Sequence, residues 1–131
     1  MACAGMLGAC NGEEPAACLE PLPMDCEPSF PPTYDQLYDK LFSQSCGAPG
    51  SGGLCHAQPG RQGGLLLEGR AQAYESLLQS DRVVPEEPEC SVIMQRIESD
   101  DEQLRMPLRG AKLPAGVRCA VQQWIANGAE R

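Results

Sequence analysis

Eight cysteines, at positions 3, 10, 18, 26, 46, 55, 90 and 119 of a 131-residue chain, constrain the fold more than any other feature. Thiols at this density belong to an oxidising compartment, because the cytosol keeps them reduced. The chain is long enough for one domain and a tail. Aromatic residues make up only 5% of it, and fourteen glycines and twelve prolines dilute the rest, so packing alone offers a modest core. Disulfides, a metal or a large apolar cofactor must supply the remainder. No two cysteines are separated by two to four residues, the spacing that zinc ribbons and ferredoxin clusters use, which argues against both.

Ten Lys and Arg against eighteen Asp and Glu leave a formal charge of −8. Such a surface repels polyphosphate and offers no counterion release, so a nucleic-acid partner is not expected. No apolar run is long enough to cross a bilayer. Leu7-Gly8-Ala9-Cys10 resembles a bacterial lipobox, with Cys10 as the acylated residue, although the nine preceding residues carry no charge. This reading makes the start a remnant of a lipoprotein signal, with attachment to a membrane through an N-terminal lipid. The alternative is a chance match.

The first 32 residues hold six prolines, four cysteines, five acidic residues and no Lys or Arg. They read as an irregular Pro/Cys-rich tether, either pinned by a Cys18–Cys26 disulfide or left with free or mixed-paired thiols. A domain over 33–131 follows. Thr33 is the expected N-cap of its first helix, with Gln36 closing a capping box and Tyr34, Leu37, Tyr38, Leu41 and Phe42 on one face as far as Ser45. Ala71, Tyr74, Leu77 and Leu78 mark a second helix. Cys90, Ile93, Met94 and Ile97 mark a third, behind the acidic Glu86-Glu87-Pro88. Pro114 opens the last, with Val117, Ala120, Val121, Trp124 and Ile125 inward and Gly128 as its stop. No strand pattern competes and no internal repeat is present, so the fold class is all-α.

His56 is the single histidine and directly follows Cys55. Covalent haem attachment uses that adjacency: the thiol bonds a vinyl group while the next imidazole reaches the iron. From Thr33 onward the landmarks Cys46, Cys55-His56, Gly63-Gly64-Leu65-Leu66-Leu67, Ala73-Tyr74 with Leu77, Val83-Val84-Pro85, Ser91, Arg96-Ile97, Met106-Pro107 with Gly110, Leu113, and Trp124-Ile125 with Gly128-Ala129 occur in order. This series resembles the cytochrome c-like domains of exported planctomycete and myxobacterial proteins, which look like short class I c-type cytochromes. The resemblance implies haem c as cofactor and His56 and Met106 as axial ligands of the iron. It also implies an exported, periplasmic or membrane-anchored electron carrier that meets redox partner proteins. A Met106 that merely fills a gap in the core is the alternative.

The attachment motif departs from the family's spacing of two residues, since eight, Gly47 to Leu54, separate Cys46 from Cys55. A flexible insert can loop out at little cost, each doubling of its length adding only about 0.6 kcal/mol. Two thioethers through Cys46 and Cys55, one through Cys55, or a Cys46–Cys55 disulfide without haem all satisfy these residues. Cys90 and Cys119, on the apolar faces of the third and last helices, are expected to pair and close a loop of about thirty residues, contributing roughly 3–4 kcal/mol; buried free thiols are the alternative. Trp124, Ile125, Leu77 and the Tyr34–Phe42 face are expected to wall the haem crevice. No nucleophile or acid–base pair emerges and there is no second histidine, so a catalyst is not expected. Two other functions fit the residues: a haem-free, disulfide-stapled binding or cell-surface module, and copper binding through Cys, His and Met.

Overall fold

The structure, a computed structural model, describes residues 18–46 (the backbone alone at 45 and 46), 64–107 and 110–131. Among them every regular element is helical, as the spacing predicts. α1 (Tyr34–Leu37) runs into a π-helical segment (Tyr38–Cys46); α2 (Arg70–Leu77), a 3-10 turn (Pro88–Cys90), α3 (Val92–Glu98) and α4 (Ala115–Ala126) follow. None of these helices is long and apolar enough to cross a membrane.

Thr33 caps α1, its hydroxyl accepting from the Gln36 amide at 3.4 Å. The capping box is not reciprocated, because the Thr33 amide is taken by the Pro31 carbonyl at 2.8 Å. The helix then widens instead of continuing as a regular α-helix to Ser45. Ser43 Oγ and Gln44 Nε2 both donate to the Asp39 carbonyl, at 3.3 and 2.8 Å, and compete there with the backbone ladder. Tyr34, Leu37, Leu41 and Phe42 still face inward. α4 closes as expected in a paired turn: Gly128, at φ +108°, donates to Ile125 O, and Ala129 donates to Trp124 O. These two bonds satisfy carbonyls that the helix end would orphan and carry Ala129 into the core. Leu78 differs from expectation. It ends α2 and is 38% exposed, since the helix stops one residue before its side chain would turn inward.

One apolar cluster joins the elements, with Leu37 and Phe42 from the first helical stretch, Leu77 from α2, Met94 from α3 and Trp124 and Ile125 from α4. Ser91, a polar residue, is fully buried. Its hydroxyl donates to Glu87 O at 2.9 Å and accepts from the Val84 amide at 2.8 Å, so it ties the 84–87 loop to the start of α3 instead of capping that helix.

The disulfides correct the expected pairing. Cys18 bonds Cys90, and Cys26 bonds Cys119, so neither Cys90–Cys119 nor Cys18–Cys26 forms. Prolines at 21 and 23 favour extended backbone at Glu20 and Leu22, which keeps Cys18 and Cys26 apart. Cys90 closes the 3-10 turn ahead of α3 instead of lying on that helix's apolar face. Residues 18–32 are accordingly a strap laid on the helices. The Leu19 amide donates to Glu89 O, Ser29 to Gly116 O, and the Gln122 and Gln123 side chains to the Pro23 and Cys26 carbonyls. Leu19, Leu22 and Phe30 pack onto the core. Gly116 is required by this close approach, since a Cβ there would run into the Ser29 hydroxyl and come within 3.1 Å of its amide nitrogen.

The two crosslinks span 72 and 93 residues of sequence. Proteolysis without reductant followed by mass spectrometry is expected to recover 18–90 and 26–119 linked peptides and no 90–119 peptide. Replacing Cys26 and Cys119 together by Ser is expected to lower the unfolding free energy by about 4 kcal/mol, from the entropy returned to the unfolded chain, as read by urea denaturation.

Candidate functional site

The loop between α3 and α4 carries Met106, and Asp101 builds it. The Asp101 amide donates to Ser99 Oγ at 3.1 Å, its carboxylate accepts from the Gln103 amide at 2.9 Å, and its carbonyl accepts from the Leu104 and Arg105 amides. The Met106 amide then donates to Arg96 O of α3 at 3.0 Å, while Arg96 Nη1 reaches back to Leu104 O. On the far side, the Gly110 amide donates to Pro107 O, and Arg105 Nη2 donates to Gly110 O, both at 3.0 Å. Met106 is therefore held by bonds on both flanks, and its side chain packs half-buried against the apolar cluster.

Two ion pairs flank this loop. Glu98 meets Arg118 of α4 at 2.7 Å, with both side chains largely covered, and Asp100 meets Lys112 at 2.9 Å. The Lys112 ammonium beside Asp100 holds its carboxyl below the usual range. Arg105 differs: its Nε is buried and has no hydrogen-bond partner, alone among the buried side-chain nitrogens and oxygens of the described residues.

The residues expected to wall a crevice, Trp124, Ile125, Leu77 and the Tyr34–Phe42 face, are buried against one another. Tyr34 lies 5.1 Å from Tyr74 and 5.8 Å from Trp124, centroid to centroid. Its hydroxyl donates to the Arg70 carbonyl; Tyr74 donates to Ala129 O and Trp124 Nε1 to Glu130 O. Burial, reinforced by the neighbouring Tyr38, pushes the Tyr34 phenol up to about 12. These side chains form closed interior, and Met106 belongs to the half-covered rim around it.

Cys55, His56, Cys10 and the Cys46 thiol lie outside the described residues. Among the described residues no three His, Cys, Asp or Glu side chains gather as for a metal ion. The four described thiols are consumed by one another, and none pairs with Cys46 or Cys55.

Residues 53–109 match the family model described as Planctomycete cytochrome C. That stretch, under half of the chain, is similar to a cytochrome c-like domain. No curated protein and no solved structure gives a match. The matched stretch includes both Cys55-His56 and Met106-Pro107, and it begins after Cys46. The donor set of this cytochrome c-like segment suits a haem iron, since a thioether and an imidazole are the axial pair such iron accepts. Sequence reading did not single out Asp101, which sits in what reads as a merely polar run, or Arg105, whose one signal is its place directly before Met106.

Because the fold favours the protonated Tyr34 phenol, its contribution to stability is complete below pH 10 and is lost as pH rises through about 12. Urea denaturation across that window is expected to show about 2–3 kcal/mol of loss from this group. Tyr34→Phe is expected to cost about 1 kcal/mol at neutral pH and to remove that part of the slope.

Proposed function

We propose that this protein is an electron carrier that binds haem c covalently, with His56 and Met106 as axial ligands and Cys46 and Cys55 as the attaching thiols. The observation that carries the reading is the family match, whose single stretch holds the Cys-His pair at one end and the Met-Pro pair at the other. The group supplies one-electron exchange when bound. The chain's own part is to present a soft sulfur on a loop anchored at Arg96 and Gly110, an arrangement that favours the ferrous state and raises the reduction potential. No residue is assigned to move protons or form covalent intermediates, so the role is carriage and not catalysis.

The disulfide pairing supports the attachment chemistry, because Cys18, Cys26, Cys90 and Cys119 satisfy each other without drawing on Cys46 or Cys55. An exported location, with Cys10 as the residue that takes a lipid, agrees with those disulfides. The acidic surface, at a formal −8, suits a redox partner with a basic docking patch. The two crosslinks also favour a second reading, a haem-free helical binding module that disulfides alone hold together.

Expression in a periplasm equipped for cytochrome maturation, followed by a haem-stained denaturing gel and a pyridine haemochrome spectrum, separates the two. A stained band lost in Cys55→Ala is expected. Cys46→Ala is expected to keep haem on one thioether, with the reduced α band displaced to longer wavelength because one vinyl stays conjugated. Met106→Ala is expected to keep covalent haem and to lower the midpoint potential. A colourless wild type with paired cysteines overturns the haem reading and leaves the binding module.

A further inference from the structure

Every tyrosine of the chain and its one tryptophan meet at a single residue, Tyr34. The Tyr34 ring lies 5.8 Å from Trp124, 5.1 Å from Tyr74 and 6.3 Å from Tyr38, centroid to centroid. These are the separations of rings in contact. Indole and phenol give up an electron readily, and an electron passes between touching rings far faster than through saturated chain. Trp124 and Tyr34 are buried, whereas Tyr38 is only half covered. A contiguous aromatic path therefore runs from the core, through Tyr34, to the surface.

The protons decide where an oxidising hole can rest on this path. A phenol that loses an electron becomes strongly acidic, and it keeps the hole only where its proton can leave. Tyr34 donates to the Arg70 carbonyl and Tyr74 to the Ala129 carbonyl, and a peptide carbonyl is too weak a base to take the proton. The Tyr34 phenol, pushed up to about 12 chiefly by burial, already resists deprotonation. Tyr38 differs: among the described residues its hydroxyl accepts from the Gly69 amide at 3.1 Å and donates to no protein group, so its proton is available to water. The Arg70 guanidinium lies 4.6 Å from the Tyr38 ring centroid, but Asp35 and Asp39 are paired with it, so no unbalanced positive charge opposes a hole there.

We propose that Trp124, Tyr34 and Tyr38 form a relay that discharges oxidising equivalents from the core to the surface, ending at a Tyr38 phenoxyl radical. When a one-electron oxidant such as a peroxyl radical takes an electron from Trp124, Tyr38 replaces it through Tyr34, and the Tyr38 phenol proton passes to water. A soluble one-electron reductant of the ascorbate class then returns the electron and water returns the proton. The net change is one electron from reductant to oxidant, with each residue restored. Trp124 is thereby spared the ring oxidation that would disrupt the core around it. Tyr74, in contact with Tyr34 but without an outlet for its proton, is a dead end. The relay needs no cofactor and stands apart from the haem reading.

The test uses the full-length protein with a soluble electron acceptor and a nitroso spin trap, illuminated at a wavelength that indole absorbs and phenol does not. Mass spectrometry then locates the trapped radical, and circular dichroism before illumination checks that each variant is folded. In wild type the adduct is expected on Tyr38. Tyr34→Phe, which keeps the ring and removes the oxidisable hydroxyl, is expected to lose that adduct and to accumulate ring-oxidised Trp124. Tyr38→Phe is expected to do the same, and Tyr74→Phe to match wild type. These last two change half-covered rings, so the comparison stands even where Tyr34→Phe does not fold. A wild-type adduct confined to Trp124, or found on Tyr74, overturns the relay. So does a Tyr38 adduct undiminished in folded Tyr34→Phe, which would make Tyr38 a residue oxidised from solution.

Discussion

The crossed pair of disulfides is the constraint on which the rest of the structure depends. Cys18–Cys90 fastens the strap to the turn that opens α3, and Cys26–Cys119 fastens it to the middle of α4. These two helices flank the loop that carries Met106. Fixing them through a third segment holds the loop's two roots without spending aromatic side chains, in which this sequence is poor. The strap also brings its own polar satisfaction: Gln122, nearly fully buried on α4, finds the Pro23 carbonyl, which leaves no orphan amide beneath the crosslink.

What the sequence disclosed follows a physical divide between local and distant information. The apolar spacing located four helical stretches, and Thr33 and Gly128 marked one start and one end, because capping is decided within four residues of chain. The widening after Leu37 was not legible, since it turns on Ser43 and Gln44 competing for one carbonyl, a contest that hydrophobic periodicity does not register. Disulfide partners were the largest miss. Residues that share apolar helix faces look like natural partners, but the pairing was decided by where an extended, proline-stiffened strap crosses the helices. The same bias toward local reading cast residues up to 32 as a tether, whereas Phe30 and Leu22 reach the core.

The site divides in the same way. Met106 stands out in the sequence as a thioether in a proline-bounded loop, and the structure sets it on the half-covered rim of the core. The wall was misread: Trp124, Leu77 and Tyr34 carry the right pattern for lining a crevice, but the same pattern serves to bury these residues in one another. Periodicity reports that a face is apolar and is silent on what covers it. Arg105 was invisible for a different reason. An arginine in a charged stretch reads as solvated surface until the geometry shows that one of its nitrogens is covered.

The limits of the family match, 53 and 109, are not the limits of a folding unit. The match contains Cys55, His56 and Met106, but α1, α4 and the strap lie outside it. Those outside parts supply Tyr34, Leu37 and Phe42 on one side of the core and Val121, Trp124 and Ile125 on the other, as well as three of the four crosslinked cysteines. A fragment cut to the matched stretch would keep Met106 and lose most of what its loop is rooted in. The matched stretch is therefore a short central segment, and much of the packing that roots its Met106 loop comes from sequence on either side. Cys46 stands with that flanking scaffold, at the end of the π-helical segment and ahead of the match, while Cys55 lies inside the matched stretch. Under the proposed haem attachment the two thiols would come from different parts of the architecture, one from the end of the helical stretch that packs the core and one from the matched segment, which is a direct reason for their wide spacing.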